Sequence, residues 1–343
     1  MLPACEGTWN MPSTVEFDQL ADPFRQELLG YCYRMLGSVD DAEDQVQETL
    51  LRAWRGYEDF EGRSSLRTWL FRIATNACLR ALETRGKRPL PAGLGAPAPD
   101  PDGPLPAIAT DIPWLQPIPD SLVTGGPADP AAVVTARVSL RLALIAALQY
   151  LPPRQRAVLI LRDVLGWHAA EVAALLDIST AAANSVLQRA RAQLASITPT
   201  ENDLREPEDP ADRALLDRYA AAFETADIAA LTELLRADAT FEMPPQPAWF
   251  SGREQIARFL RSRVLTEPGR FLLLPTSANG HGAFATYERT AGGPYVAHGI
   301  QVPATDGAWV TGIVSFNDAR LVGTFGFPKE FSQDRATAAA HRS

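Results

Sequence analysis

Three groups of polar side chains stand at spacings that could do chemistry. Along the stretch from Ser179 to Leu194, the residues Asn184, Ser185, Gln188, Arg189 and Arg191 fall opposite the apolar stripe Ala183, Val186, Leu187, Ala190 and Leu194. That polar side carries no acid. Asn and Gln match adenine edges, Arg matches guanine or phosphate, and Ser matches either, so the face suits duplex DNA. From Arg63 to Arg88 the cations Arg63, Arg67, Arg72, Arg80, Arg85, Lys87 and Arg88 oppose one acid, Glu83, and Phe60, Trp69 and Phe71 interleave with them. Cations beside aromatic rings suit single-stranded nucleic acid, whose bases stack and whose phosphates need neutralising. The third group is acidic: Asp40, Asp41, Glu43, Asp44 and Glu48 crowd one helix start. The helix dipole accounts for Asp40 and Asp41 but fades within a turn, leaving Asp44, Gln47 and Glu48 as a face for a basic partner. Each group also has a plainer reading: a helical hairpin with solvated charges, a solvated basic helix with Trp69 in the core, and a favourable helix start.

Bond-making chemistry has weaker support. The candidate acid–base groups Asp238, Glu242, His281 and His298 form no paired constellation, and a lone strand histidine is more often structural. The four histidines and three cysteines show no metal-ligand spacing and no cofactor motif is present, so neither a metal nor a cofactor is expected.

The elements that must position these groups follow from periodicity and caps. Phe17, Leu20, Phe24, Leu28, Tyr31 and Met35 predict one helix, stopped by Gly37. Ser38 caps the next, over 40–56, with Ala42, Val46, Leu50, Ala53 and Trp54 inward. Ser64 or Ser65 opens a third, with Leu66, Trp69, Leu70, Ile73, Ala77 and Leu82 inward. Pro152 and Pro153 sit where a missing N–H costs nothing. Gly166 ends their helix, and a short helix with Val172, Ala173, Leu175 and Leu176 inward leads through the turn Asp177-Ile178-Ser179 into the helix over 180–194. That is a helix-turn-helix, with Asp177 where glycine is usual.

The 343 residues predict two or three domains, and a hydrophobic content of 46% is ample for their cores. No apolar run is long enough for a membrane span, and the start of the chain lacks a signal-peptide pattern. The cysteines Cys5, Cys32 and Cys78 are odd in number and far apart, as expected of reduced thiols in a cytoplasm. The net charge of −9 argues against indiscriminate nucleic-acid binding but allows a local basic face.

Three stretches together, GYCYRMLGSVDDAEDQVQETLLRAWR, FEGRSSLRTWLFRIATNACLRAL and LPPRQRAVLILRDVLGWHAAEVAALLDIS with VLQRARAQL, resemble region 2 and region 4 of bacterial sigma-70 factors, most closely the extracytoplasmic-function (ECF) group. The resemblance implies transcription initiation with core RNA polymerase and promoter DNA as partners. Asp41, Asp44, Gln47 and Glu48 would grip the clamp helices of the polymerase's largest subunit, and region 4 would meet the flap of the second subunit. Phe60, Arg63 and Ser64 would receive a flipped base of the −10 element, with Arg72, Asn76 and Arg80 along the strand path. Asn184, Ser185, Gln188, Arg189 and Arg191 would read the −35 duplex.

The expected organisation is a tail (1–16), an all-α region 2 (17–88), a Pro/Gly-rich acidic linker (89–131), an all-α region 4 (132–198), an α+β domain (210–331) and a tail (332–343). Pro and Gly make up about two in five linker residues, so a flexible chain without a packed core is the plain expectation. Ile112, Trp114, Leu115 and Ile118 interrupt that pattern, and an acidic connector could instead thread the polymerase's RNA path. Beyond 210, helices followed by a run of alternating strands, with patches such as WFSGREQIARFL, resemble the SnoaL-like family, a cone of curved sheet wrapped by helices. Trp249, Phe259, Tyr287 and Trp309 are candidates to line a pocket for a small-molecule ligand. The expected role is regulation in cis of a non-enzymatic sigma factor. The alternative is a helix-turn-helix regulator fused to a ligand-binding or polyketide-cyclase-like enzyme domain.

Overall fold

Pro23 decides the first break. A proline inside a helical run lacks an N–H and clashes with the preceding turn. The computed structural model describes residues 14–123, 139–197 and 210–331. In place of one long helix it has α1 (Thr14–Ala21), a 3-10 turn over Asp22–Phe24 and α2 (Arg25–Leu36). Leu20 is left exposed on α1. The expectations for Cys5, for most of the first tail, for 124–138, for 198–209 and for the last tail lie outside the described residues.

The caps work as their chemistry requires. Gly37 takes φ 70° after α2. Ser38 accepts from the Asp41 amide and opens α3 (Val39–Arg55), and Ser65 accepts from the Thr68 amide and opens α4 (Leu66–Thr84). These helices bury Leu28, Tyr31, Cys32, Met35, Val46, Leu70, Phe71 and Cys78. Cys32 and Cys78 are free thiols.

Region 4 comprises α5 (Leu142–Leu148), α6 (Pro153–Leu159) with a π turn over Ile160–Val164, α7 (Ala169–Leu176) and α8 (Thr180–Ile197). Gly166 takes φ 69° and Asp177 φ 55°. The Ala182 amide donates to Ser179 Oγ at 3.1 Å. A bend of 100° separates α7 from α8, the angle of a helix-turn-helix.

The third domain runs α9 (Pro210–Glu224), α10 (Ile228–Leu234), β1 (Leu235–Glu242), β2 (Trp249–Ser251), α11 (Arg253–Phe259), β3 (Phe271–Ala278), β4 (His281–Arg289), β5 (Tyr295–Thr305), β6 (Val310–Phe316), α12 (Ala319–Thr324) and β7 (Glu330–Phe331). The strand order is β2-β1-β6-β5-β4-β3, with β7 on β5. Only the β1–β6 pair is parallel among these. A bulge at Thr286/Tyr287 interrupts the β4–β5 register and bends the sheet.

Both faces of that sheet are buried. Phe271, Leu273 and Phe284 face the cone interior with Tyr219, Phe223 and Phe259. Leu272, Leu274, Ala278, Ala285, Tyr287, Ile300 and Val302 belong to the apolar cluster that continues into regions 2 and 4. The unbroken run Phe271-Leu272-Leu273-Leu274 follows from this, because a strand covered on two sides needs no polar alternation.

The linker is the largest departure from the sequence reading. Residues 89–123 carry ordered backbone contacts, and Leu115 and Ile118 are fully buried. Gln116 accepts from Tyr33 Oη through its carbonyl at 2.8 Å and donates from its side chain to Asp40 at 2.8 Å. Ser38 donates to Gln116 Oε1 at 2.5 Å. The expected coreless chain fails here because its few apolar residues are those that bind, while the prolines hold it extended without needing amide partners.

Candidate nucleic-acid interface

On α8, Asn184, Ser185, Gln188, Arg189 and Arg191 are all exposed, and Ala183, Leu187 and Ala190 are buried. Asn184, Gln188 and Arg189 make no side-chain hydrogen bond or ion pair among the described residues. Ser185 Oγ donates back to the Ala181 carbonyl at 3.0 Å. Arg191 is engaged with both oxygens of Asp163 at 2.8 and 2.6 Å. An exposed pair contributes at most about 1 kcal/mol, so a phosphate could capture this guanidinium, but it is less available than Arg189.

Around α4, Phe60 stacks on Trp69 with ring centroids 4.8 Å apart, and Tyr57 lies 6.2 Å from Phe60. Trp69 is half-buried, part core and part platform. Arg63 pairs with Glu61, and Ser64 lies beside it. Arg72, Asn76 and Arg80 are exposed and four residues apart, so they line one side of α4. Arg67, on the same helix, turns away. It donates to Glu27 at 2.9 Å, which raises its pKa, and its guanidinium lies 4.9 Å from the Trp167 ring.

The acidic face divides. Asp44 and Gln47 are exposed; Glu48 is half-exposed and accepts from Arg52 at 2.5 Å. Asp41 is only 8% exposed and is paired with Arg85 and Arg88. This corrects the expectation for Asp41, whose carboxylate is consumed inside region 2 because the chain returns at Arg85 to Arg88. Burial first, then Asp40 and Asp44, raises the Glu43 carboxyl above its ordinary range, a sign of crowded negative charge. Asp44, Gln47, Glu48, Leu51, Arg80 and Arg85 line one groove between α3 and α4, of about 780 Å³. Leu51 is 41% exposed in it. The sequence reading missed Leu51, although its place one turn beyond Gln47 and Glu48, outside the inward stripe, was the available signal.

Two contacts between domains carried no sequence signal. Trp167, 3% exposed, packs on Phe71 with centroids 5.2 Å apart and joins region 4 to region 2. Asn279 and Gly280, the β3–β4 hairpin turn with φ 55° and 72°, push into the junction of the linker with both regions. Asn279 is wholly buried. Its Oδ1 accepts from the Ile118 amide at 3.0 Å, and its Nδ2 donates to Tyr33 Oη and the Leu140 carbonyl at 2.7 Å each. The Gly280 amide donates to Asp120 at 2.8 Å.

The four acid–base candidates of the third domain are dispersed. Asp238 is exposed and held by Arg236. Glu242 points out of the cone and accepts from the Ala92 amide of the linker at 2.8 Å; burial raises its pKa. His281 faces region 4, where burial and then Arg141 lower its pKa to about 4. His298 alone lines the cone cavity, 3.6 Å from Glu288, with burial lowering its pKa and Glu288 partly opposing. Of the proposed pocket aromatics only Phe259 lines that cavity. Trp249 donates to the Gly95 carbonyl, Tyr287 is on the other face of the sheet, and Trp309 is exposed. No single helix among the described residues is long and apolar enough to cross a membrane.

Sigma-70 region 2 matches residues 20–88, Sigma-70 region 4 matches 141–194, and a SnoaL-like domain matches 216–323. Over 315 residues the chain is 50% identical to the ECF RNA polymerase sigma factor SigG of Mycobacterium tuberculosis, covering 91% of this chain and 84% of that one. It is 30% identical over 257 residues to SigJ of the same organism, covering 73% and 72% of the two chains. The crystal structure of SigJ superposes on 90% of this chain and 99% of its own with a TM-score of 0.59 and 25% identity. These relatives are sigma factors, not enzymes, and with them this chain belongs to the ECF group of sigma-70 factors, which direct RNA polymerase to promoters, carrying a SnoaL-like domain after region 4.

Proposed function

We propose that this chain is a sigma factor held in a resting arrangement by its own SnoaL-like domain and linker. Asn184, Ser185, Gln188 and Arg189 read the −35 duplex. Phe60, Arg63 and Ser64, with Arg72, Asn76 and Arg80, take the −10 strand. Asp44, Gln47 and Glu48, around Leu51, meet the polymerase clamp. The chain itself does no bond chemistry; Glu288, the carboxylate beside His298, is already engaged by Arg270.

The observation that carries the resting state is the Phe71–Trp167 contact at 5.2 Å. Elements named for positions about 25 base pairs apart lie about 85 Å apart on a duplex at about 3.4 Å per pair. An α8 of 18 residues spans only about 27 Å, so regions packed ring on ring must separate to reach both. The cone and linker oppose that separation, because Asn279, Leu115 and Ile118 are built into the same core.

Run-off transcription with bacterial core polymerase tests this, using the full chain and promoter DNA from upstream of its own gene. Transcript from the wild type, weaker core binding in Gln47→Ala, and loss of promoter selection with core binding intact in Arg189→Ala are expected. No core binding and no transcript from either the wild type or Asn279→Ala, which loosens the cone's hold, would refute the sigma assignment and favour the fused-regulator alternative.

A further inference from the structure

The cone encloses a cavity of about 250 Å³. Phe223, Phe241, Phe259 and Phe271 form its apolar wall. Gln301 and Ser315 supply hydrogen-bonding atoms on the other side, and Tyr219 Oη donates to Gln301 at 2.8 Å. Of the lining charges, Arg270 donates to Glu288 at 2.7 and 2.9 Å, and Arg263 is held at the rim by backbone carbonyls.

One lining residue does not come from the cone. Leu105 belongs to the segment between regions 2 and 4, and its half-buried side chain packs on the cone's core. Its flanks are fastened at the rim. Arg258 donates to Asp102 at 2.5 Å, and Arg263 donates to the carbonyls of Asp102 and Gly103 at 2.8 and 2.5 Å. Gln246 donates to the Pro106 carbonyl, and the Ala109 amide donates to Pro245 at 3.2 Å. These are exposed contacts, individually weak. Ten residues further on, the same segment becomes Leu115, Gln116 and Ile118, which bind α3 and Asn279.

We infer that the cavity is a binding site for a small, uncharged aromatic molecule bearing a carbonyl or hydroxyl, and that Leu105 competes with this ligand for its mouth. The volume holds about eight groups at about 30 Å³ each, the size of one substituted ring. Aromatic walls favour a flat apolar body, and Gln301 and Ser315 orient one polar group. A charged ligand is disfavoured because Arg270 and Glu288 already neutralise each other and Arg263 is engaged at the rim by the carbonyls of Asp102 and Gly103. Entry displaces Leu105 and frees the segment 100–109, which loosens the linker's hold on region 2. This last consequence rests on the resting-state reading above; the site and its plug do not.

The test uses the full chain with 4-hydroxyacetophenone as the neutral probe and benzoate as the charged one, followed by equilibrium dialysis and amide hydrogen exchange. Leu105→Ala is expected to bind the neutral probe about fivefold tighter than the wild type, because a half-buried leucine side chain no longer competes. Gln246→Ala, which frees Pro106, shifts affinity the same way. Saturating probe is expected to speed exchange at the Ala109 amide of the wild type. Ser315→Leu, its fold checked by circular dichroism, fills the cavity and abolishes binding. Equal affinity in the wild type and Leu105→Ala, binding without faster exchange at Ala109, or no binding to Leu105→Ala at millimolar probe would overturn the inference. Benzoate binding as tightly as the neutral probe would overturn the ligand class. No polymerase enters these readouts, so their failure is separable from failure of the sigma assignment.

Discussion

Replacing Asn279 by Ala removes one buried side chain with three hydrogen bonds at the junction of all three domains. Each contributes about 0.5–1.5 kcal/mol net, and the Ile118 amide and the Leu140 carbonyl are left buried and unpaired. Ala at φ 55° adds about 1 kcal/mol, because an L residue with a Cβ resists the left-handed region. The sum is about 3–5 kcal/mol against docking of the cone, with allowance for coupling among the three bonds. Asn279→Gly relieves the backbone but not the bonds, so it recovers only about 1 kcal/mol. Amide exchange at Ile118 and along β3 and β4 measures docking, and core-polymerase binding measures its consequence. Faster exchange and tighter core binding are expected in both variants, more so for Ala. Unchanged Ile118 exchange in Asn279→Ala would refute the reasoning. Full rescue by Gly would show that backbone strain, not the hydrogen bonds, carried the effect.

Trp167→Ala, which empties a site 3% exposed, is expected to cost about 3–4 kcal/mol in denaturant unfolding and to increase exchange along α4; weaker core binding would contradict a restraining role for this contact. Acid should loosen the cone from region 4 through His281. Its pKa in the folded chain is depressed to about 4 from an ordinary 6.5, so the docked state is fully stable above pH about 6.5 and loses about 1–2 kcal/mol by pH 5, and hairpin exchange in His281→Gln should lack this pH dependence. Asp41→Asn breaks the pairs with Arg85 and Arg88 and should lower the denaturation midpoint, whereas Gln47→Ala should leave the midpoint unchanged and weaken core binding.

Much of the local structure is determined by the sequence itself. Gly37, Ser38, Ser65, Gly166 and Asp177 set helix ends through interactions within four residues, so their roles are readable wherever the chain folds. The same holds for the exposed faces of α4 and α8, since a period of 3.6 assigns each residue a side. The helix-turn-helix and the strands of the cone were legible for this reason.

Other features depended on contacts distant in sequence. Asp41 and Asp44 read alike in one acidic run, yet Asp41 is buried because its partner Arg88 stands 47 residues away. Trp167 and Leu51 could each be core or surface by periodicity, and only the packing of neighbouring helices decides. The Pro/Gly-rich linker reads as unstructured because its composition cannot build a core of its own, but Leu115 and Ile118 complete a core that other segments supply. Asn279-Gly280 makes the β3–β4 hairpin turn. That the turn is buried against Tyr33, 246 residues earlier, belongs to the tertiary structure alone, because pairing at that separation follows from the shape of the docked domains and not from any local preference.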